Sequence, residues 1–189
     1  MTRFARIISW IGHPLVFITS SVAIIVALQL ANRTGLVVLA TLLVSVILPT
    51  AFLLFNGVRS GRWSDADVSV RTERTRFYPR AIPFSALAVA VLWFMHAPDF
   101  VLRGAIATFV LLLLAALANL RIKLSLHALF AFYCTVILFR IGPLIGTCAL
   151  SFALLVFWSR LYLQRHDLLE MLTGALLGVG GGIAAAWWP

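Results

Sequence analysis

Charged residues are scarce in this chain of 189 residues: only 11% are Asp, Glu, Lys or Arg, whereas an average soluble domain has roughly 25%. Hydrophobic residues make up 62% of the sequence, and the mean hydropathy is +1.05. This composition excludes a soluble globule with a polar surface. Cysteine is also rare, because only Cys134 and Cys148 are present, and their positions in apolar runs lack disulfide or metal spacing. We interpret both as small buried residues.

Acidic residues are scarcer than basic ones, six against fifteen, which gives a net charge of +9. Such a charge can indicate nucleic-acid binding, but here the arginines cluster at the ends of apolar runs. At those positions they are typical of topology signals, lipid head-group contacts and anion ligands. We therefore predict that the partner is the membrane and not a nucleic acid. The sequence leaves the oligomeric state open.

Apolar runs recur along the chain at lengths of about 17 to 25 residues, as needed to cross a hydrocarbon core of ~30 Å. The sequence predicts an all-α, polytopic transmembrane bundle of six to seven spans, forming a single domain over residues 1–189. Residues 1–13 are predicted to be an interfacial segment. The predicted spans are about 15–31, 36–55, 81–97, 101–118, 126–141, 143–158 and 166–187.

The last predicted span carries two packing signals. Gly174, Gly178 and Gly182 recur every four residues, which gives one smooth helix face for close packing against a neighbour. Trp187 and Trp188 follow, and paired tryptophans are typical of the membrane–water interface. We expect this helix to pack tightly through its glycine face.

Three polar patches interrupt the apolar runs, at 56–80, 119–127 and 159–170. Successive spans alternate in direction, so these patches are expected on one membrane face together with the N-terminus. The shorter turns, at 32–35, 98–100 and 140–143, then lie on the other face. Ionisable residues from distant parts of the chain therefore converge, although no single patch forms a site.

The third patch combines residues suited to phosphoryl chemistry. His166 and Glu170 are four residues apart and share a face of a helix. The carboxylate can hold one ring nitrogen and leave the other free to attack. Arg160 can bind a phosphate in two places at once. A histidine nucleophile beside an arginine suggests phosphoryl transfer at the membrane surface.

The same patch resembles the signature of the type 2 phosphatidic acid phosphatase superfamily, which includes metal-independent membrane lipid phosphatases and is similar to soluble acid phosphatases and vanadium haloperoxidases. That signature is Ser-Arg, five residues, His, three residues, Asp. Here it is Ser159-Arg160, five residues, His166, three residues and Glu170. The resemblance covers roughly residues 60–180.

The other two patches resemble the remaining motifs of this family less closely. The second, Lys123-Leu124-Ser125-Leu126-His127, is similar to Pro-Ser-Gly-His. The first patch stands where the family has a lysine, then six residues of any kind, and then Arg-Pro. Arg74 matches the arginine, but Asp67 replaces the lysine and Thr75 the proline. Arg71, one turn before Arg74, is expected to supply the missing charge.

The resemblance implies a role for each matched residue. His166 would attack phosphorus, Glu170 would fix its tautomer, and His127 would protonate the leaving oxygen. The phosphate would be held by Arg160, Arg74, Arg71, Ser125 and Lys123. No metal and no cofactor are expected.

The predicted function is therefore that of an integral membrane phosphatase acting on lipid phosphates through a phosphohistidine. Phosphatidylglycerol phosphate, phosphatidic acid and polyprenyl mono- or diphosphates all fit a pocket of arginines. Two alternatives remain: a phosphotransferase of the same family acting between lipids, and a non-catalytic lipid-binding or transport protein.

The distribution of basic residues predicts the side of the site. By the span order above, twelve of the fifteen basic residues lie on the face of the three motifs and three on the other. The positive-inside rule then assigns the motifs to the cytoplasmic face of a cell membrane, inner or plasma, that the chain crosses several times.

Overall fold

The computed structural model describes residues 1–30 and 32–187, and this part of the chain forms helices joined by short turns, without strands. The α-helices are α1 (Thr2–Ile11), α2 (Pro14–Gln29), α3 (Arg33–Leu42), α4 (Leu48–Arg59), α5 (Arg71–Phe94), α6 (Asp99–Ala118), α7 (Leu126–Ile141), α8 (Pro143–Tyr162) and α9 (Leu168–Trp187). A π-helical segment, Leu43–Ile47, joins α3 to α4. The all-α prediction is confirmed.

Among the described residues, five helical segments are long and apolar enough to cross a membrane: Arg33–Arg59, α5, α6, α8 and α9. A sixth is added if α1 and α2, bent by 54° at their junction, count as one span. Six to seven spans were expected, and the structure reaches six only if this pair is counted as one span. The predicted fifth span, α7, has 16 residues and a length of about 24 Å, less than a ~30 Å hydrocarbon core.

Helix α7 lies inside the bundle. Nine of its residues are buried, and α2, α8 and α9 pack around it. Ser125 caps its first turn, and Gly142-Pro143 ends it. The motif at its N-terminus is therefore held in the interior of the protein.

Helix α9 packs on α7 through the predicted glycine face. A Cβ atom at Gly178 would lie 2.2 Å from the carbonyl oxygen of Leu129, and one at Gly174 would lie 2.6 Å from that of Ser125. The two backbones approach so closely that the amide of Ser125 donates a hydrogen bond to the carbonyl oxygen of Glu170, at 3.1 Å. This contact joins the second and third motifs.

Pro49 explains the π-helical segment in the second span. A proline ring clashes with the carbonyl four residues earlier, which here belongs to Ser45, in the middle of Leu43–Ile47. The wider π-turn accommodates the ring, and α3 and α4 continue as one apolar span of 27 residues.

Helix α5 begins earlier than predicted. It starts at Arg71 rather than near residue 81, so the loop between α4 and α5 is 60–70 and not 56–80. The four arginines of 71–80 lie on the first turns of α5, because a helix satisfies backbone polar groups near the membrane whatever the side chains are. Residue 31, the predicted end of the first span, and Trp188 lie outside the described residues.

The N-terminal helix α1, predicted to be interfacial, has one exposed and one buried face. Its exposed face carries Phe4, Ile7 and Trp10, which is 79% exposed. Its buried face, with Ala5 and Ile8, packs on α8. Such an arrangement suits a helix lying at the head-group level of a bilayer.

The loops 60–70, 119–125 and 163–167 lie at one end of the bundle with the α1–α2 junction. The guanidinium of Arg71 donates to the carbonyl of Asn119 at 2.8 Å, and Lys123 donates to the carbonyl of Arg165 at 3.0 Å. The three polar patches are thus brought together.

The close α7–α9 packing predicts that Gly178→Ala is destabilising. Its Cβ would meet backbone atoms, which cannot move aside, and we expect the free energy of unfolding to fall by about 1–3 kcal/mol. Thermal unfolding in detergent measures the effect. Gly180→Ala is the matched control, since a Cβ there meets nothing within 4 Å; an equal loss in both variants would contradict the proposed packing.

Candidate active site

The end of α8 positions Arg160 and His166 relative to each other. The amide of Arg165 donates to the carbonyl of Arg160, and that of Gln164 donates to the carbonyl of Leu161, both at 3.0 Å. Gln164 has a φ of +53°, in the left-handed region. This Schellman motif reverses the chain and returns His166 to the bundle.

His166 is paired with Glu170 as the four-residue spacing predicts. Its Nδ1 lies 2.7 Å from Oε2 of Glu170, and its side chain is 1% exposed. Asp167 accepts a hydrogen bond from the amide of Glu170 at 2.8 Å, and the Glu170 carboxylate accepts from the amide of Asp167 at 3.4 Å. This reciprocal capping box starts α9 and fixes the carboxylate against the imidazole.

The surroundings of His166 keep the ring neutral. Burial, together with the positive charges of Arg74, Arg160 and Lys123, lowers the pKa of His166 well below its usual value. A neutral imidazole beside a carboxylate acceptor carries its proton on Nδ1. The lone pair of Nε2 is then free to act as a nucleophile.

Arg160 is a buried cation with only part of its hydrogen-bonding capacity used. It is 1% exposed. Its Nη1 donates to Asp67 at 2.6 Å and to the hydroxyl of Ser9 at 2.7 Å. Its Nε and Nη2 have no partner among the described residues. Such donors rarely stay unpaired in a protein interior, so Arg160 retains the capacity to bind a further acceptor.

Arg74 is also buried, but it is held by backbone. It is 2% exposed and donates to the carbonyls of Val68, at 2.9 Å, and Leu124, at 2.6 Å. Val68 has a φ of +47°, which is strained for a β-branched residue. Arg74 thereby joins loop 60–70 to loop 119–125. It adds its charge to a group of side chains that we call the cluster: Arg160, His166, Glu170, Asp67 and His127.

His127 lies near two groups that sequence reasoning left out of the site. Its Nε2 is 3.7 Å from Oδ1 of Asp67 and has no hydrogen-bond partner among the described residues. The ring of His13 lies edge-on to that of His127, with centroids 5.5 Å apart. His13 Nε2 is 4.0 Å from the same oxygen of Asp67.

The other predicted phosphate ligands have different surroundings. Lys123 lies 3.8 Å from Glu170 and so belongs to the cluster. The hydroxyl of Ser125 accepts from the amide of Ala128 as the cap of α7. Arg71 donates to the carbonyls of Asn119 and Leu120 rather than to the other residues of the cluster.

Sequence reasoning missed Asp67, His13 and Ser9 as members of the cluster. In the sequence Asp67 stands where the resembled family has a lysine, and an acidic residue amid arginines is a signal for an ion pair. His13 caps α2, since its Nδ1 accepts from the amide of Leu15 at 3.3 Å, and its other nitrogen faces Asp67. Ser9 carries no local signal.

A cavity adjoins the cluster. Its polar lining consists mainly of His13, Asp67, Arg74 and His127, and its other side is formed by apolar residues of α2, α5, α6 and α7. In the described residues, no group of three or more His, Cys, Asp or Glu side chains is placed to hold a metal ion. Arg160 and His166 do not line this cavity, so it adjoins the cluster on the side of His127 and Arg74.

Comparisons with models of protein families, with curated proteins and with solved structures give no match for this chain.

The contact between Asp67 and Arg160 predicts that Asp67→Asn strengthens oxyanion binding. The carboxylate repels an incoming anion, whereas an amide oxygen still accepts from Arg160; we expect inorganic phosphate to bind about tenfold tighter, or about 1.4 kcal/mol. Calorimetric titration with phosphate at fixed pH measures this change.

The matched control is Asp65→Asn. Asp65 pairs with Arg165 at the surface, at 3.0 Å. The substitution removes the same charge two residues away from Asp67 and should change phosphate affinity little. Unchanged or weaker binding in Asp67→Asn would show that the carboxylate does not compete with the anion.

Proposed function

We propose that this chain is an integral membrane phosphatase that hydrolyses lipid phosphates through a phosphohistidine intermediate. The observation that carries the proposal is a set of buried polar atoms without partners among the described residues: Nε2 of His166, Nε2 of His127, and Nε and Nη2 of Arg160. A nucleophile, a proton donor and two anion donors are what phosphoryl transfer requires. The resemblance to the type 2 phosphatidic acid phosphatase superfamily supports the same chemistry.

In the first step, Nε2 of His166 attacks phosphorus and the bond from phosphorus to the lipid oxygen breaks. His127 donates a proton to that leaving oxygen, which departs as a lipid alcohol. Glu170 accepts the Nδ1 proton in a hydrogen bond and stabilises the positive charge that develops on the imidazole. The product on the enzyme is phosphohistidine.

In the second step, His127 removes a proton from water, and the resulting hydroxide attacks phosphorus. The bond between phosphorus and Nε2 breaks, and inorganic phosphate leaves with His166 neutral again. His127 thereby recovers the proton it gave in the first step, so the cycle consumes one water molecule for each lipid phosphate.

The charges of Arg160, Arg74 and Lys123 would stabilise the non-bridging oxygens in both transition states. Arg160 would bind the phosphate directly through its two unused donors. Ser125 would contribute through the N-terminus of α7, whose backbone dipole favours an anion. Arg71 would act indirectly, by holding the second loop in place.

Asp67 gives the site a feature that the family signature lacks. Its Oδ1 lies 3.7 Å from Nε2 of His127 and 4.0 Å from that of His13. In the first step it would stabilise the His127 imidazolium, which the burial of the ring and the neighbouring arginines oppose. The Asp67 carboxylate and the substrate would both accept hydrogen bonds from Arg160. It would therefore assist proton transfer and weaken product binding.

Two other functions share parts of this site. A phosphotransferase would form the same phosphohistidine and pass the phosphoryl group to a lipid hydroxyl instead of water. A lipid-binding or transport protein would use the cationic cluster without turnover. The unpartnered Nε2 of His166 favours chemistry over binding alone.

The mechanism predicts that His166→Ala abolishes phosphate release from lipid phosphates. We expect the rate to fall about 10³-fold or more because the nucleophile is lost. Phosphate release from phosphatidic acid, phosphatidylglycerol phosphate and polyprenyl phosphates, assayed with and without EDTA and with and without an acceptor lipid, measures it. His96→Ala is the control, because His96 lies in the turn after α5 at the opposite end of the bundle.

In the same assay His127→Ala should slow turnover by about 10²–10⁴-fold and leave a trapped phosphoprotein. Absence of turnover on the whole panel by wild type would overturn the enzyme proposal. Loss of activity in EDTA would overturn the metal-independent mechanism.

The site is proposed to face the cytoplasm of a cell membrane, since twelve of the basic residues belong to its side of the bundle. We predict that, in a chain with Cys134→Ala and Cys148→Ala, a cysteine replacing Ser60 is protected from an impermeant thiol reagent in sealed cells. A cysteine replacing Thr34, in the turn at the other end, should be labelled. Labelling at Ser60 and not at Thr34 would invert the orientation.

A further inference from the structure

His13 and His127 come from distant parts of the chain but face the same atom. Nε2 of His127 is 3.7 Å from Oδ1 of Asp67, and Nε2 of His13 is 4.0 Å from it. The two rings meet edge to face, with centroids 5.5 Å apart, and all three side chains line the same cavity. One carboxylate oxygen therefore faces two imidazoles, and the proposed mechanism uses only His127.

Asp67 is held from its other side. Its Oδ2 accepts a hydrogen bond from Nη1 of Arg160 at 2.6 Å, so Oδ1 is the oxygen that remains for the two histidines. Both nitrogen–oxygen distances exceed the length of a hydrogen bond, about 2.7–3.2 Å. In this structure Oδ1 is therefore committed to neither ring.

The backbone determines what His13 offers to that oxygen. Nδ1 of His13 accepts from the amide of Leu15 as the cap of α2, so the neutral ring carries its proton on Nε2, the nitrogen that faces Asp67. His13 is thus a donor directed at Oδ1. Its side chain is 18% exposed, whereas that of His127 is 4% exposed and lies deeper in the bundle.

The other charged groups near the two rings oppose a positive charge on either of them. Arg160, from α8, acts on both rings, while Arg74, from α5, and His166 act on His127. Of the groups named, Asp67 alone carries a negative charge. An imidazolium on either ring therefore relies on Asp67, and the two rings draw on one charge.

We propose that His13 is a positioning residue for the reaction: it shares the Asp67 carboxylate with His127 and thereby limits how firmly His127 holds its proton. This role rests on the proposed function, in which His127 gives a proton in the first step and takes one in the second. A carboxylate committed to His127 alone would favour the imidazolium and slow the second step. Without the carboxylate, the arginines would keep the ring neutral and slow the first step.

Sharing predicts opposite effects of two neighbouring substitutions on the titration midpoint of His127. His13→Asn keeps a side-chain oxygen to cap α2 but removes the ring that faces Asp67, so the midpoint should rise by about 0.5–1 pH unit. Asp67→Asn removes the carboxylate, so the midpoint should fall by about one pH unit or more. In the double variant the effect of His13→Asn should be largely lost, because no carboxylate remains to be shared.

Nitrogen-15 NMR of the histidine-labelled full-length chain in detergent micelles measures this midpoint. Substitution of each of the four histidines in turn assigns the resonances. His96→Asn is the matched control: it makes the same change in the turn after α5, at a left-handed φ of +52° that asparagine tolerates, and should leave the midpoint unchanged. If His13→Asn fails to fold by thermal unfolding, His13→Ser, which also offers a capping oxygen, replaces it.

Equal midpoints in wild type and His13→Asn would overturn the proposal. So would shifts in the same direction in His13→Asn and Asp67→Asn, because a general disturbance of the site would produce them. A His127 ring that stays neutral over about pH 4–9 in wild type and in every variant would overturn it as well.

The pH–rate profile of phosphate release separates the sharing from the phosphatase. The first step needs protonated His127, so the alkaline limb of the profile should move to higher pH in His13→Asn and to lower pH in Asp67→Asn. A lower rate at every pH with an unmoved limb would overturn the positioning role. Midpoint shifts without any turnover by wild type would overturn the phosphatase and keep the sharing, whereas turnover without midpoint shifts would do the reverse.

Discussion

Two arginines buried in an apolar bundle impose the main constraint on this structure. Removing a cation from water costs several kcal/mol unless it is paired and hydrogen-bonded. Arg160 is satisfied in part by Asp67 and Ser9, and Arg74 by the carbonyls of Val68 and Leu124. Each of these bonds joins different elements. The folding of the first loop, the second loop and α1 around the end of α8 therefore depends on the same two charges.

Those features that depend on short spacings could be predicted from the sequence. Apolar runs predicted the helices, because only internally hydrogen-bonded segments are stable in lipid. The four-residue spacing of His166 and Glu170 predicted their contact. The recurring glycines of α9 predicted close packing on a neighbouring helix, which is α7. The family resemblance rests on the same kind of spacing and remains a prediction.

The rest of the site depends on contacts between distant positions, which a single sequence does not encode locally. Ser9 and Arg160 are 151 residues apart, and Asp67 and Arg160 are 93 apart. Helix α5 also begins ten residues earlier than hydropathy suggests, because a helix satisfies its own backbone polar groups and the first two of its arginines, Arg71 and Arg74, have partners at the bundle end. Arg71, predicted as a phosphate ligand, is one of them: its partners are the carbonyls of Asn119 and Leu120.

Arg74 and Arg160 differ in how many of their hydrogen-bond donors have partners, and this difference distinguishes a residue that holds the fold together from one available to a ligand. Arg74 bonds carbonyls of two loops, as expected of a residue that holds a fold together. Arg160 is equally buried but leaves Nε and Nη2 without partners among the described residues, and each unsatisfied buried donor costs about 1–3 kcal/mol. A cluster that only stabilised the bundle would gain by pairing them. The same cluster also leaves Nε2 of His127 and of His166 unpaired, so its unused atoms combine anion donors with a ring nitrogen that can attack, which is the combination on which the proposed function rests.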